Sequence, residues 1–172
     1  MRGKYWLAVG ASVILGLVLV AAGLGKLLQR AEAGTIFFAS YPSYLPDFLL
    51  PAFFEVVFTW LPYIELIVGL LLIIGIAARL MAAFSSVLIA GFIANNSWLI
   101  SQGLGYQPCS GCFGMLERIT QARLSTVGAL YMDMGMLALA LIILFYYPGN
   151  FLTTRPWFLG RSKEVNLQKV DI

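Results

Sequence analysis

Four long apolar runs dominate the chain, and polar or basic segments separate them. Each run is long enough to cross a membrane, because a hydrocarbon core about 30 Å thick needs about 20 apolar helical residues. The pattern therefore predicts an all-α integral membrane protein, a four-helix bundle. The predicted helices run from Tyr5 to Leu28, Val57 to Ala78, Leu80 to Ile100 and Ser125 to Tyr147.

The connections between these runs differ in length. Helices two and three follow each other directly around Arg79, which predicts an antiparallel hairpin. The segment from Gln29 to Val56 is rich in aromatic residues and prolines, which favours a loop at the membrane interface. Residues 101–124 form the second long connection. We expect one transmembrane domain over residues 1–154, followed by a polar cytoplasmic tail over 155–172.

Composition supports this class of protein. Hydrophobic residues make up 60% of the chain and charged residues 11%, whereas soluble domains carry about 25% charged residues. The net charge of +3 does not indicate a nucleic-acid partner, since the basic residues stand at the ends of the apolar runs. Histidine is absent, and two cysteines alone do not supply the four ligands that zinc normally takes. We therefore expect the lipid bilayer as a partner, with no nucleic acid and no metal.

The basic residues also predict the orientation. With four spans both termini lie on one side, and that side collects seven basic residues against four on the other. The positive-inside rule then places the termini in the cytoplasm and both long loops outside it, in the inner (cytoplasmic) membrane of the cell. The seven are Arg2, Lys4, Arg79, Arg155, Arg161, Lys163 and Lys169, and the four are Lys26, Arg30, Arg118 and Arg123.

The start of the chain has some features of a signal peptide. A basic start precedes an apolar run, and Ala31-Glu32-Ala33 has the small-x-small form of a cleavage site. The run is longer than a typical signal core, however, and Lys26 lies between it and that site. We expect this segment to remain as an uncleaved anchor.

The two cysteines stand in Cys-x-x-Cys spacing in the second long connection, at Cys109 and Cys112. This spacing lets the sulfurs close a disulfide or open to a dithiol, and either sulfur can exchange with a thiol of another molecule. We expect Cys109 to attack and Cys112 to resolve. A disulfide that only staples the loop is the alternative. A covalently bound haem is not expected, because Phe113 stands where histidine would follow the second cysteine.

Five polar residues fall within the predicted helices. Under the predicted topology they all lie in the outer half of the membrane, below the cysteine loop, with Asp133 roughly 12 Å deep at 1.5 Å per residue. Such residues either pair inside a bundle or serve a pathway. Glu65, Asn95, Asn96 and Asp133 are therefore candidates for a quinone or proton site, whereas a Lys26–Glu65 ion pair and asparagine hydrogen bonds would be structural. The five are Lys26, Glu65, Asn95, Asn96 and Asp133.

Small and aromatic residues indicate how the helices pack and where the membrane surfaces lie. Gly16 and Gly23 are seven residues apart in helix one and share a face, which predicts close contact with another helix. Aromatic residues, Trp60 and Tyr63 among them, are expected to anchor the protein at the membrane interface.

Three short motifs resemble those of a known family. Helix one ends in Ala-Gly-Leu-Gly-Lys-Leu over residues 22–27, helix two contains Pro-x-x-Glu-x-x-x-Gly over 62–69, and the cysteine loop ends in Cys-Phe-Gly over 112–114. Together they resemble the DoxX-like superfamily and, within it, the MauE (methylamine utilisation) branch. The MauE element has one residue between its cysteines, whereas this chain has two, Ser110 and Gly111.

The resemblance covers about residues 5–147. It implies a four-helix membrane protein tied to extracytoplasmic disulfide handling or to the maturation of redox proteins. Relatives in the DoxX-like superfamily are also linked to quinone-coupled sulfur oxidation. We therefore expect no covalently bound cofactor, and a membrane quinone as the cofactor to test.

The leading hypothesis is a membrane thiol–disulfide redox protein, with thiol–disulfide oxidoreductase as the activity to test. Cys109 and Cys112 would exchange with an extracytoplasmic thiol or disulfide protein and pass electrons to a membrane quinone. The chain holds no second cysteine pair, so that partner must supply any shuttle cysteines. One alternative is an accessory or assembly subunit of a larger membrane redox complex, with a structural Cys109–Cys112 disulfide. A third is a transporter with Glu65 and Asp133 as pathway groups.

Overall fold

A computed structural model describes residues 2–33, 50–106 and 124–147, with side chains over 5–28, 59–106 and 124–147. These residues form four helices, which confirms the prediction of an all-α membrane bundle. Three of the helices contain an apolar stretch long enough to cross a membrane, and the described apolar part of the remaining helix, α2, is Thr59–Ile74. The helices are α1 (Arg2–Ala33), α2 (Leu50–Ile74), α3 (Ala78–Ser101) and α4 (Thr126–Tyr146).

Helices α1 and α2 pack antiparallel, and glycines bring their backbones together. A Cβ atom added to Gly16 would lie 2.7 Å from the carbonyl oxygen of Gly69, and one added to Gly69 would lie equally close to that of Gly16. Gly23 makes the same kind of approach to the carbonyl oxygen of Pro62. The close contact predicted from the spacing of Gly16 and Gly23 is therefore confirmed.

Helix α2 begins earlier than the sequence pattern indicated, at Leu50 instead of Val57. Pro51 lies in its first turn, where a missing N–H group leaves no helical hydrogen bond unmade. The predicted start at Val57 would place Pro62 in the first turns, but it is the thirteenth residue of the helix. The loop predicted over residues 29–56 is thus shortened by helix at both ends, and residues 34–49 lie outside the described part of the chain.

Helices α3 and α4 form the second antiparallel pair. Arg79 Nε, near the start of α3, donates a hydrogen bond of 3.0 Å to the carbonyl oxygen of Leu144, near the end of α4. At the other end the N–H of Val127 donates to the carbonyl oxygen of Gly105 at 3.1 Å. Ser125 caps α4, and its Oγ accepts from the N–H of Gly128.

The link between α2 and α3 is the three-residue turn 75–77. Gly75 and Ala77 both have positive φ, at 81° and 47°. Although α2 and α3 are consecutive, α2 packs mainly against α1, and α3 packs mainly against α4. The bundle therefore consists of two tight pairs, α1/α2 and α3/α4, joined chiefly through α1 and α4. Its core includes Leu15, Leu72, Ile89 and Ile143, all fully buried.

Exposed aromatic side chains mark two levels of the bundle. Near one end, where α1 and α3 finish and α2 and α4 begin, they include Trp60, Tyr63, Tyr106 and Tyr131. Near the opposite end they include Trp6 and Tyr146. Such belts are typical of the two membrane–water interfaces, which supports the predicted role of Trp60 and Tyr63 as anchors.

Candidate functional site

Four polar side chains meet at the end of the bundle where α1 and α3 finish. Each helix contributes one of them: Lys26 from α1, Glu65 from α2, Asn96 from α3 and Asp133 from α4. We call these four residues the polar cluster. Residues 107–123, which carry both cysteines, connect α3 to α4 at this same end.

Lys26 and Glu65 form an ion pair across the α1/α2 contact. Lys26 Nζ donates to Glu65 Oε1 at 2.6 Å, and the ammonium also lies 5.2 Å from the centre of the Phe92 ring. The two side chains differ in exposure, because that of Lys26 is 17% exposed and that of Glu65 only 1%. The second carboxylate oxygen of Glu65, Oε2, is buried and accepts no hydrogen bond from the described residues.

Asn96 and Asp133 form the second half of the cluster, across the α3/α4 contact. Asn96 Nδ2 donates to Asp133 Oδ2 at 2.7 Å, and both side chains are buried. Lys26 and Glu65 are close enough to interact electrostatically with Asp133. The two halves therefore form a single electrostatic unit, although each half ties together a different pair of helices.

Asn95 does not join the polar cluster, and its side chain is exposed on the outer surface of α3. Consecutive residues of an α-helix project about 100° apart, so only one of two adjacent asparagines can face the neighbouring helix. Asn95 was expected in the candidate site, and the structure separates it from the other members. Cys109 and Cys112 lie outside the described residues, so their chemistry remains a prediction.

The polar cluster lies close to the level of aromatic residues at this end of the bundle. Tyr63, Trp98 and Tyr131 each stand two residues nearer the end of the bundle than Glu65, Asn96 and Asp133, respectively. Two residues of helix correspond to about 3 Å. Exposed aromatic residues are typical of the membrane–water interface, so this short separation supports a position of the polar cluster close to that interface. The depth of roughly 12 Å expected for Asp133 from the start of α4 stays a prediction.

Two features of the bundle were absent from the sequence analysis. Phe92 lies one helical turn before Asn96, and that i, i+4 spacing could have placed it beside the cluster. Ser85 is fully buried, and its Oγ has no hydrogen-bond partner among the described residues. A serine within an apolar run carries no signal that would distinguish it from a packing residue.

The polar cluster combines one ammonium group, two carboxyl groups and one amide. Such a set can donate hydrogen bonds to carbonyl groups, accept them from hydroxyl groups and bind or release a proton. Among the described residues no group of three or more histidine, cysteine or acidic side chains could hold a metal ion. The groups of the polar cluster can thus form hydrogen bonds and exchange protons.

Comparison with known families gives one match. The model of the methylamine utilisation protein MauE family matches residues 4–146, which is most of the chain. The matched region contains all four members of the polar cluster and both cysteines. No curated protein and no solved structure matches the chain.

Proposed function

Because the chain belongs to the methylamine utilisation protein MauE family, we propose that it is a membrane thiol–disulfide redox protein that serves the maturation of an extracytoplasmic redox protein. The single observation that carries this proposal is the position of the polar cluster. It lies at the end of the bundle from which the Cys-x-x-Cys segment leaves and to which it returns.

The proposed chemistry exchanges a disulfide for two thiols. Cys109 is the residue expected to attack a partner disulfide, and the reverse reaction passes through the same mixed disulfide. In that direction a thiolate of the partner attacks Cys109 Sγ in the Cys109–Cys112 disulfide and releases Cys112 as a thiolate. A second thiolate of the partner then attacks its own sulfur in that mixed disulfide. The partner leaves with a new disulfide, and Cys109 and Cys112 remain as a dithiol.

Renewal of the disulfide needs a two-electron oxidant. Closing the Cys109–Cys112 bond removes two electrons and two protons from the dithiol, and a membrane quinone that takes up both becomes a quinol. The polar cluster has suitable groups for such a substrate. Lys26 and Asn96 offer N–H donors for quinone carbonyl groups, and Glu65 Oε2 is an acceptor for a quinol hydroxyl group.

The depth of the polar cluster supports the same substrate. A quinone has a polar ring and an apolar tail, so its ring favours the level of the interfacial aromatic residues. Tyr63 and Tyr131 are exposed residues of the kind found at that level, and each stands two residues, about 3 Å of helix, nearer the end of the bundle than Glu65 and Asp133.

The proposal requires the cysteine segment to face an oxidising compartment. The excess of basic residues at the opposite end of the bundle supports cytoplasmic termini and an extracytoplasmic cysteine segment, in the cytoplasmic membrane. A membrane-impermeant thiol reagent added to intact cells should then label Cys109 or Cys112 after mild reduction. Labelling only after the cells are broken would contradict this orientation.

The test of function uses the full chain in lipid nanodiscs. The dithiol form is mixed with a short-chain ubiquinone analogue, and free thiols and quinone absorbance are followed together. We expect one quinone reduced for every two thiols lost, and no quinone reduction by the C109S/C112S variant. In native membranes the Cys109 thiolate of the C112S variant can still attack the disulfide of an oxidised partner, and no Cys112 is present to resolve the adduct. This variant should therefore accumulate a reducible adduct on Cys109, and the C109S variant should not.

The accessory-subunit alternative gives the opposite results. A disulfide that resists mild dithiol reductants, with a potential below about −300 mV, indicates a structural staple. If C109S and C112S variants also assemble and support the maturation of the partner normally, the exchange mechanism is wrong.

A further inference from the structure

The charges of the polar cluster do not balance. Among the described residues it contains two carboxyl groups, of Glu65 and Asp133, and a single cation, Lys26. The remaining member, Asn96, is neutral, and so is Phe92 beside the ammonium. With every ionisable group charged, the cluster would carry a net charge of −1 within a membrane-embedded bundle.

Both carboxyl groups are shielded from solvent. Glu65 is 1% exposed and Asp133 is 7% exposed. Removing an ion from water costs several kcal/mol unless a partner of opposite charge compensates, and one cation compensates one anion. A single bound proton makes the cluster neutral.

The contacts indicate which carboxyl group takes the proton. Glu65 Oε1 accepts directly from the Lys26 ammonium at 2.6 Å, whereas the hydrogen bond to Asp133 comes from the neutral amide of Asn96. The carboxylate in direct contact with the cation keeps its charge more easily. Asn96 occupies Asp133 Oδ2, so Oδ1 is the oxygen left for a proton.

We propose that the polar cluster binds a single exchangeable proton on Asp133 Oδ1, while Glu65 remains ionised against Lys26. The ionised partner, Glu65, keeps one further buried acceptor, Oε2, which has no donor among the described residues. The site is a proton-binding site at the interfacial level of the bundle, formed by one residue from each helix.

This inference assigns a proton-binding residue within the proposed function. Only the role of that proton in disulfide formation rests on the proposed function. Closing the Cys109–Cys112 disulfide releases two protons, and a site that holds one proton can pass them singly. Proton binding itself needs neither cysteine, so the two proposals can fail separately.

The test counts protonated carboxyl groups by infrared spectroscopy of the full chain in lipid nanodiscs at neutral pH. We expect one in the wild type and none in D133N. E65Q should also show none, because Asp133 becomes the only anion available to Lys26 and gives up its proton. K26M should show two, because neither carboxyl group then has a cation. The C109S/C112S variant should give the wild-type count.

Several outcomes would overturn the inference. One is a wild-type spectrum without a protonated carboxyl group, and another is a band that survives in D133N. Failure of D133N to assemble would also overturn it, because a neutral amide replacing a neutral acid must be tolerated. If K26M does not fold, the spectra of D133N and E65Q still show whether Asp133 carries the proton. If D133N added to C109S/C112S leaves the number of protonated carboxyl groups unchanged, the proton site is refuted. That result leaves the thiol proposal untouched.

Discussion

Replacing Gly23 with alanine should separate α1 from α2 directly beside the Lys26–Glu65 ion pair. A Cβ atom at this position would lie 2.7 Å from the carbonyl oxygen of Pro62 and 3.1 Å from the backbone nitrogen of Leu66. Both neighbours are backbone atoms, so neither can move aside as the end of a flexible side chain can. Ordinary van der Waals contacts of a Cβ atom begin at 3.4 Å, which implies that the helices move apart locally by roughly 0.7 Å.

The expected cost follows from two opposing effects. Forcing extra volume into a packed contact costs about 1–3 kcal/mol, whereas alanine is about 1 kcal/mol better than glycine inside a helix. Gly10 is the matched control, since it lies in the same helix and a Cβ atom there would meet nothing within 4 Å. The helix-propensity gain is common to both variants. We therefore expect G23A to be about 1–3 kcal/mol less stable than G10A.

The measurement is the free energy of unfolding of the wild type and both variants in the same detergent micelles. Separation at Gly23 should also lengthen the Lys26 Nζ–Glu65 Oε1 hydrogen bond, now 2.6 Å. A G23A protein as stable as G10A would show that the α1/α2 contact is looser than these distances indicate, and would refute the reasoning.

Three further predictions concern the ion pair, the α2–α3 turn and the proton site. K26M should cost about 3–5 kcal/mol of unfolding free energy because it leaves Glu65 buried without a cation. E65Q should cost less because Asp133 remains as an anion for Lys26, and equal costs would contradict this asymmetry. A77G should stabilise the protein by about 1 kcal/mol, because Ala77 has φ 47° and glycine adopts positive φ without strain. The control A78G, in the helix, should destabilise it, and a loss of stability in A77G would contradict backbone strain at residue 77. D133N should slow quinone reduction by the dithiol about 100-fold without reducing thermal stability, and an unchanged rate in stopped-flow measurements would argue against a role in proton transfer.

The helices were predictable because apolar length is a strong signal in a membrane protein. The structure places α3 at Ala78–Ser101 and α4 at Thr126–Tyr146, within two residues of the predicted ends. The start of α2 was less predictable, because a proline near a helix start and a proline within a helix look alike in the sequence. Pro51 takes the first-turn position that Pro62 was expected to hold.

The candidate site was predictable in its members but not in its contacts. Opposite charges at matching depth indicated the Lys26–Glu65 pair, and the structure contains it. Sequence alone could not decide between Asn95 and Asn96, because that choice depends on the rotation of α3 about its axis. Helix rotation is fixed by the packing of α3 on α4, which involves contacts distant in the sequence.

The structural and chemical roles of the polar cluster need not exclude each other. The Lys26–Glu65 pair fastens α1 to α2, and the Asn96–Asp133 hydrogen bond fastens α3 to α4. Exchange of a proton at Asp133 changes the charge between these two pairs but leaves the carboxylate of Glu65 with its cation. A packing role requires only the hydrogen bond, which asparagine can still accept at residue 133, whereas a chemical role requires the proton. The substitution D133N therefore separates the two roles within one molecule.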